Sequence, residues 1–149
     1  MPCNHKLEIA PMIITLADKR TIVDSPQAMY DILKATLLAE DEIDQDKEHF
    51  WVIHLDARNR IKALELVSLG TINASIVHPR EVFTRAVALR SSSLILAHNH
   101  PSGDLQPSTQ DIEITEKLVQ AGEILRIDIV DNLVITKDGF YSFKQEGLL

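Results

Sequence analysis

Leu94-Ile95-Leu96-Ala97 runs without a break into His98-Asn99-His100-Pro101-Ser102-Gly103. A short, continuous apolar run of this length suits a buried strand, which needs a sheet to belong to. The run delivers His98 to the strand's end, and the composition of Asn99 to Pro107 is that of a loop. Ser108 then opens a helix to about Gly122, with Ile112, Thr115, Leu118 and Val119 on one face and Gly122 suited to the C-terminal stop.

The flanking sequence supplies the rest of such a sheet. Pro11 to Ala17 is apolar and rich in β-branched residues, as a strand would be. Ser25-Pro26 has the N-cap and first-turn chemistry of a helix, and Met29, Ile32, Leu33, Thr36 and Leu37 carry it to about Glu40. Phe50 to Leu55 and Ala63 to Leu69 read as an antiparallel pair joined around Asp56-Ala57-Arg58-Asn59-Arg60. Gly70 breaks the pattern, and Thr71 to Val77 reads as another short strand. Pro79 to about Arg90 is a second amphipathic helix, built on Val82, Phe83, Ala86, Val87 and Leu89. Strands over Ile124 to Val130, Leu133 to Thr136 and Phe140 to Phe143 complete the chain, with Asp138-Gly139 turning between the last two. Strands and helices interleave, but the hairpins argue against a purely parallel sheet. The expected class is α/β (α+β), a mixed β-sheet flanked by helices, without internal repeats.

At 149 residues the chain has the size of one domain with a true core. No apolar run approaches the ~18 residues of a membrane helix, and Met1 to Lys6 lacks a signal peptide's apolar region, so a cytoplasmic protein is expected. Lone Cys3 cannot form an internal disulfide, which fits a reducing compartment. The formal charge of −7 is concentrated between Glu40 and Glu48, a stretch read as a solvated loop. No cluster of Lys and Arg is visible along the chain, which disfavours sequence-independent DNA binding, although Arg58, Arg60, Lys62, Arg80, Arg85 and Arg90 could assemble a basic face on folding.

His98 and His100, one residue apart on extended backbone, point to the same side and can reach one ion. Asp111 can supply the third ligand. A set of N, N and O donors leaves a tetrahedral zinc with an open position, the signature of a catalytic site. Ser108 and Asp111 also stand at capping-box spacing, and a serine there can both cap the helix and donate its hydroxyl to a developing oxyanion. Asn99 points oppositely and reads as a brace. The letters His-Asn-His are no nuclease signature, because that motif needs its residues spread over a ββα arrangement. His54 and Trp51 read as core residues, His78 and Glu81 as capping groups at a helix start, and His5 and His49 have no assigned role.

His98-x-His100, seven residues, Ser108, two residues and Asp111 match the JAMM motif of MPN+ metalloproteases. The longer stretches HPREVF, SLILAHNHPSGDLQPSTQDIEIT, LVQAGEIL and DNLVIT resemble the RadC family. The resemblance covers roughly Ser25 to Leu149. It implies a JAB/MPN-like, cytidine-deaminase-like architecture in a single domain over 1–149, with 1–24 as an N-terminal extension and without the helix-hairpin-helix segment that usually precedes it. Members commonly carry a histidine where this chain has Asn132. The resemblance also implies one Zn2+ ion on His98, His100 and Asp111, and an upstream glutamate at the start of an early strand as general base. Glu48 occupies the matching place. Glu65, inside the next strand, is the competing assignment and otherwise reads as a charge on a solvent face.

The implied activity is that of a zinc-dependent metallohydrolase cutting a peptide or isopeptide bond, with a peptide or protein as substrate. The alternative is a non-enzymatic accessory module in DNA repair or mobile-element biology with a structural zinc site, which would require a basic surface. Exposed strand edges would permit a homodimer.

Overall fold

The computed structural model describes residues 21–70 and 77–149, together with the backbone of Ile13–Ile14. Most of the expected Pro11 to Ala17 strand, all of Thr71 to Val77 but Val77, and Cys3 and His5 lie outside these residues. A six-stranded sheet has the order β1-β3-β2-β4-β5-β6, where β1 is Ile13–Ile14, β2 His49–Leu55, β3 Ile61–Leu69, β4 Ser93–Asn99, β5 Asp128–Ile135 and β6 Phe140–Ser142. Among the described residues only β4 and β5 pair in parallel; the other neighbours are antiparallel. The sheet is therefore mixed, as the hairpins require.

Strand β4 lies between β2 and β5 and is buried along its whole length, as is β2. Helix α1, Pro26–Leu38, covers one face: Met29, Leu33 and Leu37 pack with Trp51, Ile53, Ile95, Ala97 and Leu133. Helices α3, Pro79–Ala88, and α4, Thr109–Leu125, cover the other, setting Val82, Phe83, Ile114 and Leu118 against Phe50, Val52, Leu94 and Leu96. Alternation along β2 and β4 assigns odd residues to the α1 layer and even residues to the α3/α4 layer. Each fully buried leucine or isoleucine contributes roughly 1.5–3 kcal/mol. No helix among the described residues is long and apolar enough to cross a membrane.

The helix starts form as their sequences dictate. Ser25 Oγ accepts the Ala28 amide at 3.1 Å, with Pro26 behind it. His78 is the N-cap of α3, but its side chain makes no cap hydrogen bond; its ring lies 3.9 Å from Glu81. Within the acidic stretch a single helical turn, α2, forms at Glu42–Gln45, where a loop was expected.

Three further expectations change. Helix α4 passes through Gly122 and ends at Leu125, with Arg126 in the left-handed region as its cap. Gly122 serves packing instead, because a Cβ there would collide with the Ile127 carbonyl oxygen. The two strands expected at Ile124 to Val130 and Leu133 to Thr136 are one, β5, since Asp131 and Asn132 between them find hydrogen-bond partners inside the fold. Asp131 accepts from Ser142 Oγ at 2.6 Å and from the Lys144 amide at 3.1 Å, and Asn132 donates to Thr115 Oγ1 at 2.7 Å. Glu65 is buried rather than solvent-facing, and its carboxylate meets His54 Nε2 at 3.0 Å and lies 3.8 Å from Arg85 Nε.

Candidate metal centre

His98 occupies the penultimate position of β4, and His100 follows the strand's last residue, so one face of the strand end presents both rings. Pro101 turns the chain away, and Gly103 takes φ +85°, a left-handed conformation that glycine adopts without strain. The loop returns to α4 at its N-cap, Ser108. There Ser108 Oγ accepts the Asp111 amide at 3.0 Å, and Asp111 Oδ2 accepts the Ser108 amide at 2.8 Å. The capping box thus aims the Asp111 carboxylate back at the strand end.

The same oxygen, Asp111 Oδ2, stands 3.4 Å from His98 Nε2 and 3.2 Å from His100 Nε2. One donor atom from each of the three residues falls within 4.8 Å of the others, the spacing of a set that could hold a metal ion. His100 Nδ1 faces the Asp104 carbonyl at 2.7 Å, which makes Nδ1 the protonated nitrogen and leaves the Nε2 lone pair for a metal. His98 is 2% exposed and stacks on Phe50 with ring centroids 6.2 Å apart, yet neither ring nitrogen has a hydrogen-bond partner among the described residues. A buried imidazole without hydrogen bonds is costly unless something coordinates it. The donor set and this orphaned ring fit a zinc ion.

Electrostatics agree. The Asp111 carboxylate, foremost, holds the His100 imidazole above its ordinary pKa; burial opposes it, and the Asp104 carbonyl and Glu48 add to it. For Asp111, burial disfavours the charge but is outweighed by His100, His98 and the Ser108 amide, leaving the carboxyl well below the usual carboxylate range. The carboxylate is thus anionic without a metal, and at His100 a proton competes with a metal for the ring.

The triad opens onto a cleft of about 540 Å³ that Glu48 and Ser108 also line. Glu48 immediately precedes β2, and Phe50 of that strand is opposite His98 in the sheet, so alternation places Glu48 on the ligand face. Asp46 and Asp104 add carboxylates to the lining, and no lysine or arginine contributes to it among the described residues. Glu65 does not line this cleft, being engaged with His54 and Arg85.

The sequence matches the RadC-like JAB domain over residues 23–148. The chain belongs to the RadC-like JAB domain family. Similar proteins include UPF0758 proteins of Desulforudis audaxviator, 50% identical over 114 residues, and Pelodictyon phaeoclathratiforme, 49% identical over 106 residues. These alignments take in 76% and 71% of this chain, and 50% and 48% of the relatives. A UPF0758 protein of Methanosarcina acetivorans aligns with 95% of the chain at 44% identity, covering 60% of its own length. The chain thus spans about half the length of the curated relatives it matches. In this RadC-like JAB domain the mixed sheet brings the His-His-Asp set together at one strand end.

Two residues beside the centre escaped sequence reasoning. His49, without an assigned role in the sequence, is fully buried and held between Glu40 Oε2 at 2.6 Å and the Lys47 carbonyl at 2.8 Å. Glu40 belongs to the acidic run, whose far end at Asp46 and Glu48 lines the cleft. Adjacency to Glu48 was the available signal for His49; nothing in residue order marked Glu40.

Proposed function

We propose that this domain is a zinc-dependent hydrolase of peptide or isopeptide bonds. The observation that carries the reading is that Glu48, from the start of β2, lines one cleft with His98, His100 and Asp111 from the other side of a strand pair. His98, His100 and Asp111 would hold the ion. When bound, zinc would polarise the scissile carbonyl and lower the pKa of water toward ~7.

Glu48, a carboxylate that lines the same cleft, then takes a proton from the attacking water and returns it to the leaving amine. Ser108 uses its oxygen to accept the Asp111 amide, which leaves the hydroxyl proton for an oxyanion. Asp111 contributes an anion fixed by the helix cap, and His100 a tautomer fixed by Asp104. The acidic lining, without Lys or Arg among the described residues, favours a peptide over a phosphodiester as substrate.

Metal analysis of protein purified without chelators, followed by incubation with a panel of peptides and isopeptide-linked conjugates, tests the reading. About one equivalent of zinc and chelator-sensitive cleavage are expected. Failure to take up zinc even when it is added would overturn it.

A further inference from the structure

The geometry points to Asn99 as a positioning residue that sets the aim of Glu48 from the opposite face of the sheet. Asn99 lies between the two histidine ligands and is 2% exposed, with its side chain on the α1 side, away from the cleft. Its carboxamide makes two bonds. Oδ1 accepts the His49 amide at 2.5 Å, and Nδ2 donates to the Lys47 carbonyl at 2.9 Å. Only this orientation of the amide group satisfies both, since a backbone N–H must donate and a carbonyl must accept.

Lys47 and His49 are the two neighbours of Glu48, so one side chain grips the backbone on both sides of it. Both carbonyls flanking this point are held further. The Lys47 carbonyl takes a second hydrogen bond from His49 Nδ1 at 2.8 Å, which uses both its lone pairs, and the Glu48 carbonyl accepts the Gly70 amide at 2.8 Å. With both flanking peptide units held, the Cα–Cβ bond of Glu48 has one direction, toward the ligand face. Because the grip comes from the residue between His98 and His100, a shift of the ligand strand carries the glutamate with it. A carboxylate on a freely moving chain start would lose the preorganisation that proton transfer needs.

This inference rests on the reading of Glu48 as the proton-transferring group, and the experiment separates the two. Cobalt(II) replaces zinc in the full chain, and the pH midpoint of its visible spectrum is measured for wild type, Glu48→Gln, Asn99→Ala and the double variant. The expected result is that Glu48→Gln moves the midpoint, and that Asn99→Ala moves it in the same direction by at least half as much at equal cobalt stoichiometry. In the double variant the Asn99 change adds nothing to that of Glu48→Gln, because Asn99 acts through Glu48. A purely structural role would lower the unfolding temperature and leave the midpoint where it is.

A wild-type midpoint in Asn99→Ala, alongside a moved midpoint in Glu48→Gln, overturns the role of Asn99 and leaves the hydrolase reading standing. Additive shifts overturn it too, since Asn99 would then act on the ligands directly. An unmoved midpoint in Glu48→Gln overturns the assignment of Glu48, and this inference with it. Asn99→Thr, which suits a strand and can make one of the two bonds, carries the same predictions at smaller size if Asn99→Ala does not fold.

Discussion

Ser108 and Asp111 hold each other through two reciprocal hydrogen bonds, Oγ to the Asp111 amide at 3.0 Å and the Ser108 amide to Oδ2 at 2.8 Å. The helix cap and the candidate metal-binding carboxylate are one structure. Ser108→Ala should therefore lower stability by about 1 kcal/mol, the usual cost of a lost N-cap, and weaken hydrolysis. Ser108→Asp restores the cap without a hydroxyl. It should recover stability in urea titrations and leave kcat depressed; recovery of both would make Ser108 a cap alone.

Glu48→Gln keeps the size of the side chain and removes its basicity. Zinc content should stay at the wild-type level while kcat falls roughly 10²–10⁴-fold, the range of a general acid–base group. Plasma emission spectroscopy and a peptide-cleavage assay on the same preparation check both halves.

Metal-free protein leaves the buried His98 ring without hydrogen bonds. His98→Leu removes that penalty and keeps a side chain of similar bulk beside Phe50. In the presence of a chelator the gain from removing the unsatisfied ring is opposed by loss of its 3.4 Å contact with the Asp111 carboxylate, so stability should change by less than about 1 kcal/mol. Zinc binding should be lost. Chemical denaturation in EDTA and isothermal titration with zinc measure the two effects.

The pH dependence follows from the two shifted ligands. His100 is raised from its ordinary 6.5, so its contribution to the metal-free fold is complete below that value and is lost as pH rises through the higher folded value. Asp111 is lowered from 3.8, so its contribution is present above that value and is lost as pH falls through the lower folded value. Metal-free protein should gain most from this pair between about pH 4 and 6.5. Zinc needs the rings deprotonated, so its stabilising effect should be larger at pH 8 than at pH 6. Thermal unfolding with and without zinc at the two pH values checks the sign.

Gly122→Ala should cost about 1–3 kcal/mol despite alanine's better helix propensity, because the added Cβ meets the Ile127 carbonyl oxygen. Urea unfolding would read this directly. A stabilised variant would show that the α4–β5 junction yields.

The parts of the fold legible in residue order are those decided locally. Ser25-Pro26 and Ser108 announce their helices because caps act within a few residues, and Leu94 to Ala97 announces a central strand because burial on both faces leaves no polar positions. Composition fails where a distant partner satisfies a polar group. Asp131 and Asn132 look like a turn until Ser142, Lys144 and Thr115 reach them, and Glu65 looks exposed until His54 and Arg85 enclose it. The candidate site divides in the same way. His98, His100 and Asp111 lie in one strand–loop–helix segment and can be read from spacing, whereas the choice of Glu48 needed a family resemblance, and its brace by Asn99 depends on strand pairing.

The distribution of the centre along the chain also orders its assembly. His100 and Asp111 meet across a separation of 11 residues, while His49 and Asn99 meet across 50. Closing the longer loop costs roughly 1 kcal/mol more in chain entropy, and it waits on the β2–β4 pairing. The His-His-Asp set can therefore come together during folding before Asn99 fixes Glu48 beside it, so under the proposed function metal capture would not require the glutamate in place.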